Sequence, residues 1–274
     1  MVAYPAAADK AHAQALTPGC AHRGRLLPFD TIPPTGLLVP PLRGHFPDTL
    51  LSPEPRSHVA LLRAVDLGFA LALAPAWAPL LLLGAAAAAL TQGVPIFYRA
   101  ERLGRYGKVF RMLKVRSMVR NAERLGPAVS ASDDPRITWI GRLLRRTKVD
   151  ELPQFLHVLS GRMSIVGPRP EAPAYLRYYT PEGLRSLQAK PGITGYGTLY
   201  FFSAERGIPS ADFETRYIRD FLPTKLRLDD RCWLDLQARP FRTTLLLLVL
   251  TIAAVLGRGS ARFSPAQLET RFLR

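Results

Sequence analysis

The chain has 274 residues, of which 48% are hydrophobic and 21% are charged, and these proportions exclude a wholly disordered or collagen-like protein. The 37 Lys and Arg residues against 21 Asp and Glu give a formal net charge of +16, which predicts a polyanionic partner: nucleic acid, a nucleotide or an anionic membrane. Cys20 and Cys232 are too widely separated to indicate a disulfide framework or a zinc site, and a cytoplasmic catalytic region is expected.

The first 57 residues are rich in proline and alanine, and their apolar residues follow neither a helical nor a strand period. Because proline interrupts the hydrogen bonding of both helices and sheets, we predict a flexible leader over residues 1–57. No secretory signal peptide is expected there, since the start lacks a basic stretch followed by a continuous apolar run.

An uncharged segment rich in leucine and alanine follows, from Leu67 to Leu90. It is long enough to cross a bilayer, which takes about 20 helical residues. However, Pro75 and Pro79 favour a kink, and basic residues at both ends favour a cytoplasmic position for both. We therefore predict a membrane-inserted, re-entrant helix over residues 58–95. A single crossing is the main alternative, and a buried soluble helix is less favoured.

The next part of the chain is strongly basic, with 14 Lys and Arg against four Asp and Glu between Phe97 and Lys148. Within it, Ile137, Ile140 and Leu144 recur at helical spacing among basic residues. This pattern fits a basic amphipathic helix at an anionic membrane surface. It fits equally well a soluble helix packed on a core.

Two adjacent carboxylates, Asp150 and Glu151, are the first candidates for chemistry. On a helix they would point about 100° apart, so they can perform two neighbouring tasks at one site. One could attack or hold a metal while the other orients a second group. Acidic pairs at a helix N-terminus are also common partners of the helix dipole, which is the structural alternative.

Three further segments suit the binding of phosphate. The prolines of Gly167-Pro168-Arg169-Pro170 restrict the backbone around Arg169, whose planar guanidinium suits bidentate phosphate recognition. Lys114 and Arg116 share one side of the chain if that segment is extended. The glycines of residues 190–195 allow close approach of the backbone to a ligand, or an unusual turn. An exposed arginine in an ordinary proline-rich turn is the alternative for Arg169.

Taken in order, these segments resemble a known protein family, the bacterial sugar transferases that act on polyprenyl phosphate (monotopic phosphoglycosyl transferases). The resemblance covers roughly residues 63–236. It rests on the proline-broken apolar segment and on six short motifs: Gly107-Lys108-Val109-Phe110, Lys114-Val115-Arg116-Ser117-Met118, Asp134-Pro135-Arg136-Ile137-Thr138, Asp150-Glu151-Leu152-Pro153-Gln154, Met163 to Pro170, and Lys190 to Gly195.

The resemblance implies transfer of a sugar 1-phosphate from a nucleotide diphosphosugar, usually a UDP-sugar, to undecaprenyl phosphate with release of UMP. It implies that Asp150 is the nucleophile that forms a covalent phosphosugar intermediate. Glu151 would assist as a base or beside a magnesium ion (Mg2+), and both carboxylates are candidate ligands of that metal. The phosphates would be held by the basic side chains Lys114, Arg116, Arg145 and Arg169.

The resemblance also implies that the apolar helix breaks at Ala78-Pro79, where the family has a Ser-Pro pair. The segment after Gly195 departs from the family pattern. His157 occupies a place where the family often has asparagine, and we predict a locally satisfied helix residue there. The expected location is the inner membrane of a bacterium, with the catalytic part on the cytoplasmic face, and nucleic acid is not an expected partner.

The predicted fold is therefore α-rich α+β: the re-entrant helix, a compact, mostly helical catalytic domain over residues 96–238 with a small β element, and a C-terminal region over residues 239–274. In that region Leu245–Leu256 is too short for a membrane span and is predicted to be an interfacial or packing helix. Two other interpretations remain: a non-catalytic basic membrane adaptor or nucleic-acid binder, and a degenerate transferase without activity. The sugar, the glycan pathway and the oligomeric state do not follow from the sequence.

Overall fold

The computed structural model describes residues 56–204 and 213–256, together with Thr270 and Phe272. This part is mostly helical with two small sheets. Its helices are α1 (Arg56–Ala72), α2 (Ala74–Gln92), α3 (Trp139–Thr147), α4 (Gln154–Leu159), α5 (Pro181–Ser186), α6 (Tyr196–Ala204), α7 (Phe213–Arg216), α8 (Leu222–Ala238) and α9 (Pro240–Leu256). Its strands are β1 (Phe97–Leu103), β2 (Val109–Val115), β3 (Ser164–Val166) and β4 (Gly192–Thr194). The predicted leader lies almost wholly outside the described residues.

The uncharged segment forms two consecutive helices, α1 and α2, and the chain leaves the helix at Leu73. Pro75 lies at the start of α2, where its missing N–H is not needed by the helix. Pro79 lies inside α2, so the chain stays helical through Ala78 and Pro79. The interruption between the two helices thus lies at Leu73, more than one helical turn before Ala78-Pro79, and a bend at that pair stays a prediction.

One face of α2 packs against the rest of the protein and the other is open. Trp77, Leu81, Gly84 and Ala88 recur every three or four residues and are buried. On the opposite side four leucines are exposed: Leu80, Leu82, Leu83 and Leu90. Among the described residues α2 is the one helix long and apolar enough to cross a membrane. Only 22% of its most apolar 18-residue stretch is buried. This exposure disfavours the alternative of a buried soluble helix.

The amphipathic segment forms α3, which begins after the N-cap Thr138, whose hydroxyl accepts the Gly141 N–H at 3.0 Å. Ile140 and Leu144 are buried in the same apolar cluster as Trp77 and Leu81 of α2. Of the two interpretations of this stripe, packing against a core is therefore the one observed.

The first sheet is an antiparallel hairpin of β1 and β2, in register from Phe97 opposite Val115 to Leu103 opposite Val109. Helix α4 is attached to this hairpin by His157, whose Nε2 accepts the Leu113 N–H at 2.9 Å. The imidazole is satisfied locally, as predicted, because its acceptor nitrogen is used by the backbone of β2.

The second sheet pairs β3 and β4 in parallel, with Val166 opposite Thr194. The glycines at its end are needed because two chain segments touch: a Cβ on Gly192 would lie 2.2 Å from the Gly167 nitrogen, and one on Gly195 would lie 2.3 Å from the Gly167 oxygen. The close approach predicted for residues 190–195 is therefore to the backbone of Gly167, two residues before Arg169.

The last described helix, α9, begins at Pro240 and is longer than the predicted Leu245–Leu256. Leu247 and Leu250 face the core, while Leu245, Val249 and Ile252 are exposed. The helix thus packs on the domain with one face and presents a second apolar face outward.

Candidate active site

A short 3-10 turn between α3 and α4, Val149–Glu151, carries the two adjacent carboxylates. It follows Lys148, which ends α3 in the left-handed conformation (φ 59°), an arrangement common at helix C-termini. The turn buries Asp150 to 5% exposure and leaves the Glu151 side chain 15% exposed. Two neighbouring acids thereby occupy different environments at one position of the fold.

Glu151 brings two of the predicted phosphate-binding segments together. Its Oε1 accepts hydrogen bonds from Lys114 Nζ at 3.1 Å and from Arg169 Nη2 at 2.6 Å. Lys114 comes from β2, and Arg169 from the loop after β3. Burial opposes ionisation of Glu151, but the charges of Arg169, Lys114 and Lys148 outweigh it, so the pKa of this carboxyl lies well below its ordinary value.

Asp150 differs from Glu151 in both its hydrogen bonding and the direction of its pKa shift. Its Oδ1 is buried and has no hydrogen-bond partner among the described residues. Burial and the charge of Glu151 raise the pKa of Asp150, although Lys114, Arg145 and Lys148 oppose this shift. The pair therefore contains one carboxylate fixed by cations and one that is unpartnered, an arrangement that allows two neighbouring acids to play different roles.

Arg145 projects from α3 towards the same site and is held by two serines. Its Nε donates to Ser117 Oγ at 2.9 Å and its Nη1 donates to Ser130 Oγ at 2.8 Å. Burial lowers the pKa of Arg145, and Asp150 is the largest of the charges that oppose this shift. Sequence reasoning overlooked Ser130, because a serine in a loop gives no signal of its own.

Arg116 has a different environment from Lys114, although the two residues are only two positions apart at the end of β2. Its Nη2 donates to the carbonyls of Gln92, at 2.5 Å, and Gly93, at 2.8 Å, at the end of α2. Gln92 Nε2 returns a bond to the Arg116 carbonyl at 2.9 Å. Arg116 also lines the site cavity. Its observed contacts are those of a cation at a helix C-terminus, which favours positive charge.

The motif around Asp134 supports the loop over the site. Arg136 is buried, and its Nη2 lies 2.7 Å from Asp134 Oδ2. The same guanidinium donates to the Ala122 carbonyl at 2.9 Å and to the Pro127 carbonyl at 3.2 Å. These bonds hold the segment between β2 and α3 over the carboxylate pair.

The two carboxylates and the four predicted phosphate-binding side chains border one open cavity of about 1140 Å³. Ten Lys or Arg residues line it against four carboxylates, and aromatic side chains such as Phe201, Phe202 and Tyr217 complete the wall. This volume exceeds the roughly 300–1,000 Å³ of typical small-molecule pockets. The cavity therefore suits a large, multiply charged anion with an apolar or ring-containing part.

A metal ion would find few protein ligands here. The described residues contain no group of three or more His, Cys, Asp or Glu side chains placed to hold one. Asp150 Oδ1 is a buried carboxylate oxygen without a partner. Mg²⁺ is usually held by one or two carboxylates, several waters and substrate phosphates, so the residues present fit such an ion.

The fold places a basic cavity with two adjacent carboxylates beside an apolar, exposed helix. The sequence profile of the bacterial sugar transferase family matches residues 57–256, which is most of the chain. The chain belongs to the bacterial sugar transferase family. This finding confirms the resemblance noted from the motifs.

Individual relatives agree with this assignment. The chain is 44% identical over 149 residues to a UDP-glucose:undecaprenyl-phosphate glucose-1-phosphate transferase of Caulobacter vibrioides, covering 52% of this chain and 55% of that protein. It is 34% identical over 177 residues to an exopolysaccharide production protein of Sinorhizobium fredii, covering 58% and 77%. It is 39% identical over 143 residues to an undecaprenyl-phosphate galactose phosphotransferase of Salmonella typhimurium, covering 47% and 29%. The chain thus spans little more than half of the first relative.

Proposed function

We propose that this chain transfers a sugar 1-phosphate from a UDP-sugar to undecaprenyl phosphate, with release of UMP, at a bacterial membrane. The observation that carries the proposal is the meeting of Asp150, Glu151, Lys114 and Arg169 in a basic cavity beside α2. Relatives named for glucose and for galactose are comparably similar to this chain, so the proposal extends to the class of sugar nucleotides and leaves the sugar open.

The proposed reaction has two displacement steps. An Asp150 carboxylate oxygen attacks the sugar-bearing phosphorus of the diphosphate, the phosphorus–oxygen bond to UMP breaks, and UMP departs. A phosphate oxygen of undecaprenyl phosphate then attacks the same phosphorus, and the bond to Asp150 breaks, which regenerates the carboxylate. Splitting a transfer in this way is the purpose of covalent catalysis, and phosphoryl transfer otherwise needs alignment and charge neutralisation.

The positions of the charged groups support these roles. Asp150 Oδ1 has no hydrogen-bond partner among the described residues and is therefore available to attack, whereas Glu151 is occupied by Lys114 and Arg169 and serves to orient them. Arg145 and Arg169 would neutralise the phosphate oxygens, since guanidinium groups bind phosphate in two-point fashion. Mg²⁺ held by Asp150, with Glu151 adjacent, would neutralise negative charge on the diphosphate.

The test of this function is an incubation of the full chain in lipid with undecaprenyl phosphate and a panel of UDP-sugars. Release of UMP with at least one of them, together with a lipid-linked diphosphosugar product, is the expected result. Absence of UMP release with every sugar nucleotide, by protein that is folded and membrane-associated, would contradict the proposed function.

Metal dependence gives a separate prediction. Treatment with EDTA is expected to lower UMP release by at least about a hundredfold, because a diphosphate in this site would lose neutralisation worth several kcal/mol. Added Mg²⁺ is expected to restore it. The measurement is the initial rate across a Mg²⁺ titration, and a chelator-treated protein that retains full activity would remove the metal from the proposal.

The pKa of Asp150 predicts the acid side of the pH profile. The proposed nucleophile must be ionised, and burial raises the pKa of Asp150, so activity is expected to be lost on acidification at a higher pH than for an ordinary aspartate. Because Arg145 lowers the pKa of Asp150, Arg145→Gln is expected to move this limb to still higher pH. Arg124→Gln, at an exposed residue that does not line the cavity, is the matched control. If the acid side of the pH–activity profile of Arg145→Gln were unchanged or moved to lower pH, Asp150 would not be the group that controls it.

For the apolar segment we propose a re-entrant arrangement on the cytoplasmic face. The catalytic domain holds both ends of the segment: Arg63 Nη2 donates to the Leu159 carbonyl at 2.7 Å and Asp66 Oδ1 accepts the Ile165 N–H at 2.8 Å. At the other end Arg116 donates to the carbonyls of Gln92 and Gly93. Since one folded body contacts both ends, a chain that enters the bilayer and returns fits these contacts better than a single crossing.

Cysteine labelling tests the arrangement in a Cys20→Ser background, in which the remaining Cys232 is buried. Leu61→Cys, before the apolar segment, and Glu101→Cys, after it, are both exposed and are expected to react from the cytoplasmic side only. Leu82→Cys, on the open face of α2, is expected to resist a membrane-impermeant reagent until detergent is added. Labelling of positions 61 and 101 from opposite sides would establish a single crossing.

A further inference from the structure

A fully buried ionic cluster lies behind the loop that carries Arg169. Lys225, on α8, has a side chain only 1% exposed, and its Nζ lies 2.9 Å from Glu171 Oε1 and 2.8 Å from Asp229 Oδ2. Glu171 also interacts with the hydroxyl of Tyr217, which favours its ionised form. The proposed reaction uses none of these four side chains.

The cluster contacts the backbone of Arg169 through Lys225, which Asp229 holds in place. Lys225 Nζ is 3.5 Å from the Arg169 carbonyl oxygen. Asp229 holds this lysine through its Oδ2, 2.8 Å from Lys225 Nζ, while its Oδ1 is buried without a hydrogen-bond partner among the described residues. Because Arg169 stands between Pro168 and Pro170, these contacts act on a short stretch of chain that has little freedom of its own.

Stability alone is a weak reason for such a cluster. Replacing a buried ion pair by apolar residues of similar volume is often neutral or stabilising, because burial of the charges is costly. What apolar residues cannot do is donate to a backbone carbonyl, as Lys225 does to Arg169. The cluster also requires Gly197, since a Cβ there would lie 2.4 Å from Asp229 Oδ1.

We propose that Lys225 and Asp229 are positioning residues for Arg169, holding its backbone so that its guanidinium reaches Glu151 and the substrate diphosphate. The proposal rests on the proposed function for the role of Arg169 in turnover. It extends the site from the cavity wall to α8. Lys225 and Asp229 do not themselves contact the substrate in this account; they act through the 2.6 Å bond between Arg169 Nη2 and Glu151 Oε1.

The test compares Lys225→Met in the wild-type chain and in an Arg169→Ala background. In the wild-type chain Lys225→Met is expected to lower kcat/KM for the UDP-sugar about tenfold or more, since small displacements of a positioning group are costly. In the Arg169→Ala background the same change is expected to lower kcat/KM less than twofold, because the group it positions is already absent. Arg231→Met, a half-exposed cation on the same helix, is the control and should be near wild type in both.

Equal losses in the two backgrounds would overturn the proposal, because they would mean that Lys225 acts independently of Arg169. Should Lys225→Met fail to fold, Asp229→Asn is the second variant, since it leaves the Lys225–Glu171 pair intact. A structure of whichever variant folds gives a readout independent of activity. Loss of the hydrogen bond between Arg169 Nη2 and Glu151 Oε1 is expected, and retention of that bond at its present length would refute the proposal even if the wild-type chain had no transferase activity.

Discussion

Asp150→Asn is expected to abolish turnover, lowering kcat at least about 10⁴-fold, as removal of a covalent nucleophile does in other enzymes. The amide cannot form a phosphosugar adduct, so transfer of label from a UDP-sugar labelled in its sugar-bearing phosphate to the protein is also expected to disappear. Both quantities come from one experiment, in which UMP release and protein-bound label are followed in the same reaction.

The same variant separates catalysis from stability. Because burial raises the pKa of Asp150, the fold disfavours its ionised form at neutral pH, and a neutral amide of the same size relieves this cost. The Tm of Asp150→Asn is therefore expected to be no lower than that of the wild-type chain. Asp133→Asn, an exposed acid outside the cavity, is the matched control and should leave both activity and label capture unchanged. Turnover of Asp150→Asn within tenfold of wild type would rule out the covalent mechanism.

The residue types at this site were accessible from the sequence, but the pairing among them was not. The motifs singled out Lys114, Glu151 and Arg169, and the fold brings them together at one carboxylate. From the sequence, Asp150 and Glu151 were expected to be neighbours on an α-helix. A tighter 3-10 turn instead buries one and directs the other to two cations, and this division depends on tertiary contacts that no local pattern records.

Three differences show where local reasoning fails. Both prolines favoured a kink in the apolar segment, yet Pro75 lies at the start of α2 and Pro79 lies inside it. The alternation of side chains along a strand predicted that Arg116 lies on the same side as Lys114. The Arg116 guanidinium instead donates to backbone carbonyls at the end of α2. Lys225 and Asp229, spaced four residues apart on a helix, look like a solvent-exposed ion pair until the loop that covers them is known.

The contact between α2 and the catalytic turn yields the second large prediction. A Cβ on Gly84 would lie 2.4 Å from Cγ1 of Val149, the residue directly before Asp150. Because valine is stiff about χ1, this clash cannot be relieved by a simple side-chain rotation, and either α2 or the turn must move. The apolar helix and the candidate nucleophile are therefore linked through one glycine.

Gly84→Ala is expected to lower kcat at least about tenfold, since displacement of a reacting group by 1 Å can cost about a hundredfold in rate. The reason is steric, because alanine is the better helix former by about 1 kcal/mol. Val149→Ala removes the methyl group that a new Cβ would meet, so the double variant Gly84→Ala/Val149→Ala is expected to recover activity to within about threefold of Val149→Ala alone. Rates of UMP release at saturating substrates provide the measurement.

Gly68→Ala in α1 is the matched control, because a Cβ at that position would meet nothing within 4 Å. It carries the same gain in helix propensity and should leave the rate unchanged. A loss of activity in Gly84→Ala that Val149→Ala fails to relieve would show that the helix acts on the site by another route. Relief by the second substitution would instead establish that the docking of the apolar helix sets the position of the candidate nucleophile, since Val149→Ala removes the side-chain atom that a Cβ at position 84 would meet most closely.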